Sequence, residues 1–202
     1  VAETFDLPQL LALAAVLGFA SGIRLYAVLL AVGLAGYAEW VALPPGLQVL
    51  ANPWVIGVAA ALAAVELLAD KIPAVDTLWD AVHTFIRIPA GAALAAAAIG
   101  ADSATWTVIA ALAGGSLAAT SHFTKAGARA AVNTSPEPLS NLAVSTAEDV
   151  FSAALLWLLF TYPWIAAAIV LVLVAVAAWL LPKLFRFVRR AFLRRDGNAS
   201  PG

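Results

Sequence analysis

The sequence predicts an all-α, polytopic membrane protein of about six transmembrane helices. Of its 202 residues, 63% are hydrophobic and only 11% are Asp, Glu, Lys or Arg, roughly half the charged share of a soluble domain. The apolar residues also fall into six long blocks, more than one aqueous core of this size can bury. Cysteine is absent, which excludes disulfides, thiolate metal sites and thiol nucleophiles.

The blocks are Leu7–Ala38, Pro53–Ala69, Asp76–Ile99, Thr105–Phe123, Asn141–Tyr162 and Pro163–Leu181. Each comes close to the 20 or so apolar residues that cross about 30 Å of hydrocarbon. The third has the weakest apolar character, because Asp76, Asp80, His83 and Arg87 occupy its first half, and it reads as the partly interfacial or re-entrant segment. The first ten residues look like the start of a signal peptide, but Glu3 and Asp6 stand where its positive charge belongs, so the first span is expected to be retained.

Charge sets the orientation. Residues 1–182 form the transmembrane domain and carry five Lys/Arg against eleven Asp/Glu; residues 183–202 form a basic tail with six against one. Lys183, Arg186, Arg189, Arg190, Arg194 and Arg195 place the C-terminus in the cytoplasm, and Lys71, Lys125 and Arg129 fall on the same side when the spans are stepped back. With six spans, both termini are expected in the cytoplasm of a bacterial inner membrane. After Pro182 the bases gather on one helical face and the apolar residues on the other. This is the pattern of an amphipathic helix lying on anionic lipid, and it makes nucleic acid the weaker partner.

The two halves, 7–100 and 104–182, echo one another: a long span with a basic residue, a proline-bearing loop, a span, a tight proline turn, a span. Arg24 corresponds to His122, Pro44-Pro45 to Pro136 and Pro138, and Pro73 to Pro163. Three spans per half make this a 3+3 inverted repeat, the plan of several transporters.

Ionisable residues at membrane depth cost about 2.5–3.5 kcal/mol each on insertion scales, so those retained face protein or water. At 100° per residue Asp76, Asp80, His83 and Arg87 make one narrow stripe. His122, Lys125, Arg129 and Asn133 make a second, and Ser145, Glu148, Asp149 and Ser152 a third, while Glu66 and Asp70 pair at i, i+4. All belong to the cytoplasmic half, where they would either lock helix ends as ion pairs or line a shared polar pocket. Asp76, Asp80 and His83 could ligate a divalent ion, opposed by the nearby Lys71, Arg87 and Lys125. No other cofactor is indicated. The expected substrate-binding set is Arg24, Glu66, Asp76, Asp80, His83, Arg87, His122, Lys125, Arg129, Glu148 and Asp149.

Arg24 stands alone in a 31-residue apolar stretch after the small-residue face Gly18-Phe-Ala-Ser-Gly22. Two readings follow: a long tilted helix with a buried pair such as Arg24 to Glu66, or a helix broken near Ser21-Gly22, as at transporter substrate sites. The loop Asn133–Asn141 carries two prolines, with Ser140 or Asn141 placed to cap the fifth span. Trp40 and Trp54 on the outer side and Trp79 on the inner side fit an interfacial aromatic belt.

The pattern Glu66-x3-Asp70-Lys71-x-Pro73-x2-Asp76-x2-Trp79-Asp80-x2-His83, with His122-x2-Lys125-x3-Arg129-x3-Asn133 and Ser135-Pro-Glu-Pro138, resembles a family of small bacterial integral-membrane proteins catalogued as a domain of unknown function. The resemblance runs from about Leu17 to Phe187 and implies a multi-span membrane protein, without an activity. Three function classes then compete, in this order. The first is a small transporter or channel for an anionic solute or a phosphate-bearing lipid head group. The second is a structural or accessory subunit of a larger membrane complex, and the third is a membrane-embedded hydrolase or transferase. The expected partners are the bilayer, with anionic lipid at the tail, and a homo-oligomer or membrane-complex partner.

Overall fold

The computed structural model describes residues 5–100, 103–132 and 138–197. All of its regular elements are helical: α1 (Leu7–Tyr37), a 3-10 turn (Pro45–Ala51), α2 (Pro53–Ala69), α3 (Pro73–Ile99), α4 (Ala104–Val132), α5 (Pro138–Thr161) and α6 (Pro163–Gly197). Proline stands in the first turn of α1, α2 and α3, and α5 and α6 also begin on one, where its missing N–H costs nothing. Asp6 and Gln9 close a reciprocal cap on α1, Asn52 caps α2 through the Trp54 amide, and Gly100, at φ 81°, ends α3. Five helices are long and apolar enough to cross a membrane; α2 joined to the 3-10 turn, bent by 71°, makes a sixth candidate. The chain is an integral membrane protein.

Its organising feature is a break in α1. Arg24 has φ −143° and ψ 76°, outside the helical region, and the chain doubles back there. The first arm, 7–23, runs parallel to α4: Gly18 packs on Gly114, the carbonyl of Phe19 accepts from Ser121, and that of Ile23 accepts from Lys125. The second arm, 25–37, returns to the starting end, where Gly33 meets Leu50 and Ile56 and Gly36 meets Leu43. Phe5, Gln9 and Leu13 therefore share one cavity of about 740 Å³ with Val32, Trp40 and the α5–α6 junction at Thr161–Ile165. A straight 31-residue helix would separate its ends by about 45 Å.

The molecule thus has two ends. One, here the upper, holds both ends of α1, the 3-10 turn packed on Ala97 and the Gly100 carbonyl bonded to Thr107. The lower holds the Asp70–Lys71 turn, the last turns of α4, the start of α5, and Leu184 of α6 against Gly127. Helices α2 to α6 run from one end to the other around the α1 hairpin, whose Val16, Leu17, Val28 and Val32 are almost fully buried. Close approach of α1 to α4 requires glycine: a Cβ on Gly18 would lie 2.7 Å from the Gly114 Cα, and one on Gly22 would collide with Ser121 and the Ala118 carbonyl. Large apolar side chains such as Trp54, Leu68, Phe85, Leu112 and Leu171 face outward, as they must in lipid.

Several expectations change. The broken element is α1, while α3, expected to be partly interfacial or re-entrant, is one continuous helix. The described start of the chain lies at the upper end of the molecule and α6 finishes at the lower. In the expected repeat, α1 corresponds to α4, yet α4 does not double back. Helix α4 runs on to Val132 because its polar last turns are buried against other charges. Ser140 and Asn141 lie inside α5 rather than before it, and residues 133–137 of the preceding loop lie outside the described residues. Helix α6 continues through Pro182 instead of stopping there. In its tail Lys183 sits over the Trp179 ring, Arg186 bonds the Pro182 carbonyl, and the side chains of Arg190, Arg194 and Arg195 lie outside the described set.

Candidate functional site

The break in α1 delivers Arg24 to the lower end, among the four polar groups the periodicity identifies. All five Lys/Arg of residues 1–182 meet there with six carboxylates. Asp76, Asp80, His83 and Arg87 fall on one buried face of α3, as their spacing requires. The guanidinium of Arg87 bridges Glu66 of α2 and Asp80, both at 2.6 Å. That of Arg129 grips Glu148 of α5 through two nitrogens, at 3.1 and 2.7 Å, approaches Asp76 at 3.3 Å, and donates to the Asp70 carbonyl. Lys125 lies between Asp70 at 3.2 Å, Asp80 at 3.5 Å and Glu148 at 3.7 Å.

Arg24, 3% exposed, is held by Asp70 at 2.5 Å and by Asp149. Asp149 also binds Lys71, whose ammonium donates to Ser145. The pair expected between Arg24 and Glu66 is not formed, because Glu66 sits a turn higher and is taken by Arg87. Within the turn between α2 and α3, burial of Asp70 would raise its carboxyl, but Lys125, Arg24 and Arg129 outweigh this and hold it below its ordinary value.

The two histidines occupy separate places. The Nε2 of His83 is 3.1 Å from the Tyr26 hydroxyl and its Nδ1 is 2.8 Å from the Trp79 carbonyl. Trp79 stacks on the His83 ring at 4.1 Å, so it packs inward rather than joining an interfacial belt, whereas Trp40 and Trp54 are exposed. His122 contacts Thr84 at 2.7 Å and Arg87 at 3.3 Å.

Among the described residues the carboxylates that converge within 4.8 Å are Asp70, Asp76 and Asp80. This replaces His83 of the expected metal set with Asp70. Each of the three already faces a cation, which opposes a divalent ion at that point. Sequence reasoning left Asp70 out of the binding set although it partners three cations. The signal was its i, i+4 spacing from Glu66 beside a proline turn. Tyr26 and Thr84 were also missed, being single polar residues in apolar runs.

A cavity of about 740 Å³ lies at the upper end, away from these charges, between the arms of α1 at Leu13 and Val32. A second, of about 450 Å³, runs between the second arm of α1 and α5 and reaches the network at Arg24, Asp149 and Ser152. The charge stripes therefore neutralise one another directly, and this cleft touches them only at the edge.

The family described as Domain of unknown function (DUF4126) matches residues 11–183, and the chain belongs to it. No curated protein and no solved structure matches the chain.

Proposed function

We propose that this family member is a small transporter of the bacterial cytoplasmic membrane, handling an anionic solute or a phosphate-bearing lipid head group at the tip of the α1 hairpin. The observation that carries this is the break at Arg24. Helix ends that meet among buried charges present backbone ends and a fixed field to one point, a device by which several transporters hold charged substrates. A chain that needed only to anchor its helix ends could use one continuous span.

The charge ledger says how an anion would enter. The network has six carboxylates for five cations, so no cation is spare and a bound anion must take a carboxylate's place. Asp149 is the one placed to yield. At 28% it is the most exposed acid of the network's ion pairs, and it holds both Arg24 and Lys71. With Asp149 turned aside, Arg24, Lys71, Ser145 and Ser152 present a positive, hydrogen-bonding pocket suited to phosphate or carboxylate. The lower end is then cytoplasmic by its lysines and arginines, and the upper cavity between the arms of α1 is the opposite vestibule.

A structural-subunit reading is favoured by the density of direct ion pairs, which leave little open space around Arg87 and Lys125. Flux separates the two. In proteoliposomes the transporter reading expects movement of a phosphate-bearing solute or lipid across the membrane that rises with Asp149→Asn and disappears with Arg24→Gln. Absence of flux for a panel of phosphates and carboxylates, with a partner protein held at fixed stoichiometry in native membranes, overturns it.

A further inference from the structure

We infer that the ligand at Arg24 is an amphiphile: a single-chain lipid whose phosphate or carboxylate head engages Arg24 and Ser152 and whose alkyl chain lies in the cleft between α1 and α5. This rests on the reading above and narrows its substrate class.

Two observations at the cleft are independent of the ion pairs. Arg24 and Ser152 are both among the residues lining the cleft, and each carries a buried donor, the Arg24 Nε and the Ser152 hydroxyl, without a hydrogen-bond partner. Buried donors of this kind are rare unless something absent completes them. The rest of the cleft is apolar, with Ala31, Ala153, Leu156 and Phe160 along its walls and Trp40 at its far end. From Asp149 to Phe160 it follows α5 for about 16 Å at the rise of a helix, the reach of a medium alkyl chain. Its volume, about 450 Å³, is in the range of small-molecule sites. A free solute would leave this apolar length unused. The head has a second anchor in Lys71, which shares Asp149 with Arg24, so a group that takes the place of that one carboxylate meets both cations.

The test uses the full-length protein in nanodiscs of zwitterionic lipid, read by native mass spectrometry with dodecyl phosphate, dodecanol and inorganic phosphate as probes. The inference expects a one-to-one adduct with dodecyl phosphate alone. Ala153→Trp, which fills the cleft and leaves every ion-paired residue in the chain, should lower its occupancy about tenfold or more, the equivalent of losing roughly two buried methylenes. Asp149→Asn should raise it. Ala31→Phe serves as the second filler if Ala153→Trp loses its helical circular dichroism.

Several outcomes overturn the inference. If dodecyl phosphate binds equally in both fillers, the chain does not occupy the cleft. If inorganic phosphate binds in an Arg24-dependent, filler-insensitive manner, the amphiphile falls while the anion-transport reading survives. If dodecanol binds as well as dodecyl phosphate, or no probe binds, both readings fall.

Discussion

The ammonium of Lys125, on α4, donates to the carbonyl of Ile23 at 3.4 Å, the last residue before α1 turns back. A helix that ends inside the membrane leaves carbonyls without amide partners, and a cation at that end also meets the negative pole of the half-helix. Lys125 supplies both while pairing with Asp70, which in turn holds Arg24. The break and the charge network are thus one construction: the network terminates the first arm, and the break brings Arg24 into the network.

Removing Arg87 should be among the most damaging single changes. It is fully buried and bridges Glu66 and Asp80. Arg87→Ala leaves a buried Glu66 without its cation, a loss of about 3–5 kcal/mol. Thermal unfolding in detergent should show a large drop, partly recovered in the double variant Glu66→Gln, Arg87→Gln. A drop equal to or larger than that of Arg87→Ala in the double variant would contradict the pairing.

Packing at the hairpin is equally specific. Gly22→Ala places a methyl against Ser121 and the Ala118 backbone and should cost about 1–3 kcal/mol through forced separation of α1 from α4. Gly57→Ala, in α2 with open space around it, should be neutral or stabilise by up to about 1 kcal/mol. Melting temperatures of the two variants, measured side by side, distinguish a contact effect from a general intolerance of glycine replacement.

Acid should weaken the lower end through Asp70. Its folded carboxyl titrates below the ordinary value of 3.8, so the stabilisation it gives is present above that value and is lost as pH falls through the folded one. Unfolding followed from pH 6 to pH 3 should show an acid-sensitive component that Asp70→Asn reduces. An unchanged acid profile in Asp70→Asn would assign the sensitivity to other groups.

The charged face of α3 was legible from sequence because a helix fixes direction by count: four ionisable residues within about 60° of one another had to share a side. A break near Ser21-Gly22 was one of the two readings of α1, and it falls at Arg24; that the chain doubles back there was not legible. Arg24 is flanked by good helix formers, no proline marks the break, and Gly22 suits close packing as well as a turn. The usable hint was length, since 31 residues far exceed what the bilayer needs, together with Ser21-Gly22. Which carboxylate meets which cation was also beyond reach, because a stripe gives azimuth and not the relative height of neighbouring helices. That height placed Glu66 with Arg87 and brought Asp70 to the centre.

The most direct test of the hairpin uses the natural absence of cysteine. Single cysteines introduced at Leu7, Glu39 and Arg186 in intact cells or sealed vesicles can be reacted with a membrane-impermeant maleimide. The fold predicts that Leu7→Cys and Glu39→Cys are labelled from the same side and Arg186→Cys from the other. Labelling of Leu7→Cys together with Arg186→Cys, and of Glu39→Cys opposite to both, would mean that α1 crosses the membrane once and that Arg24 is not at the tip of a hairpin.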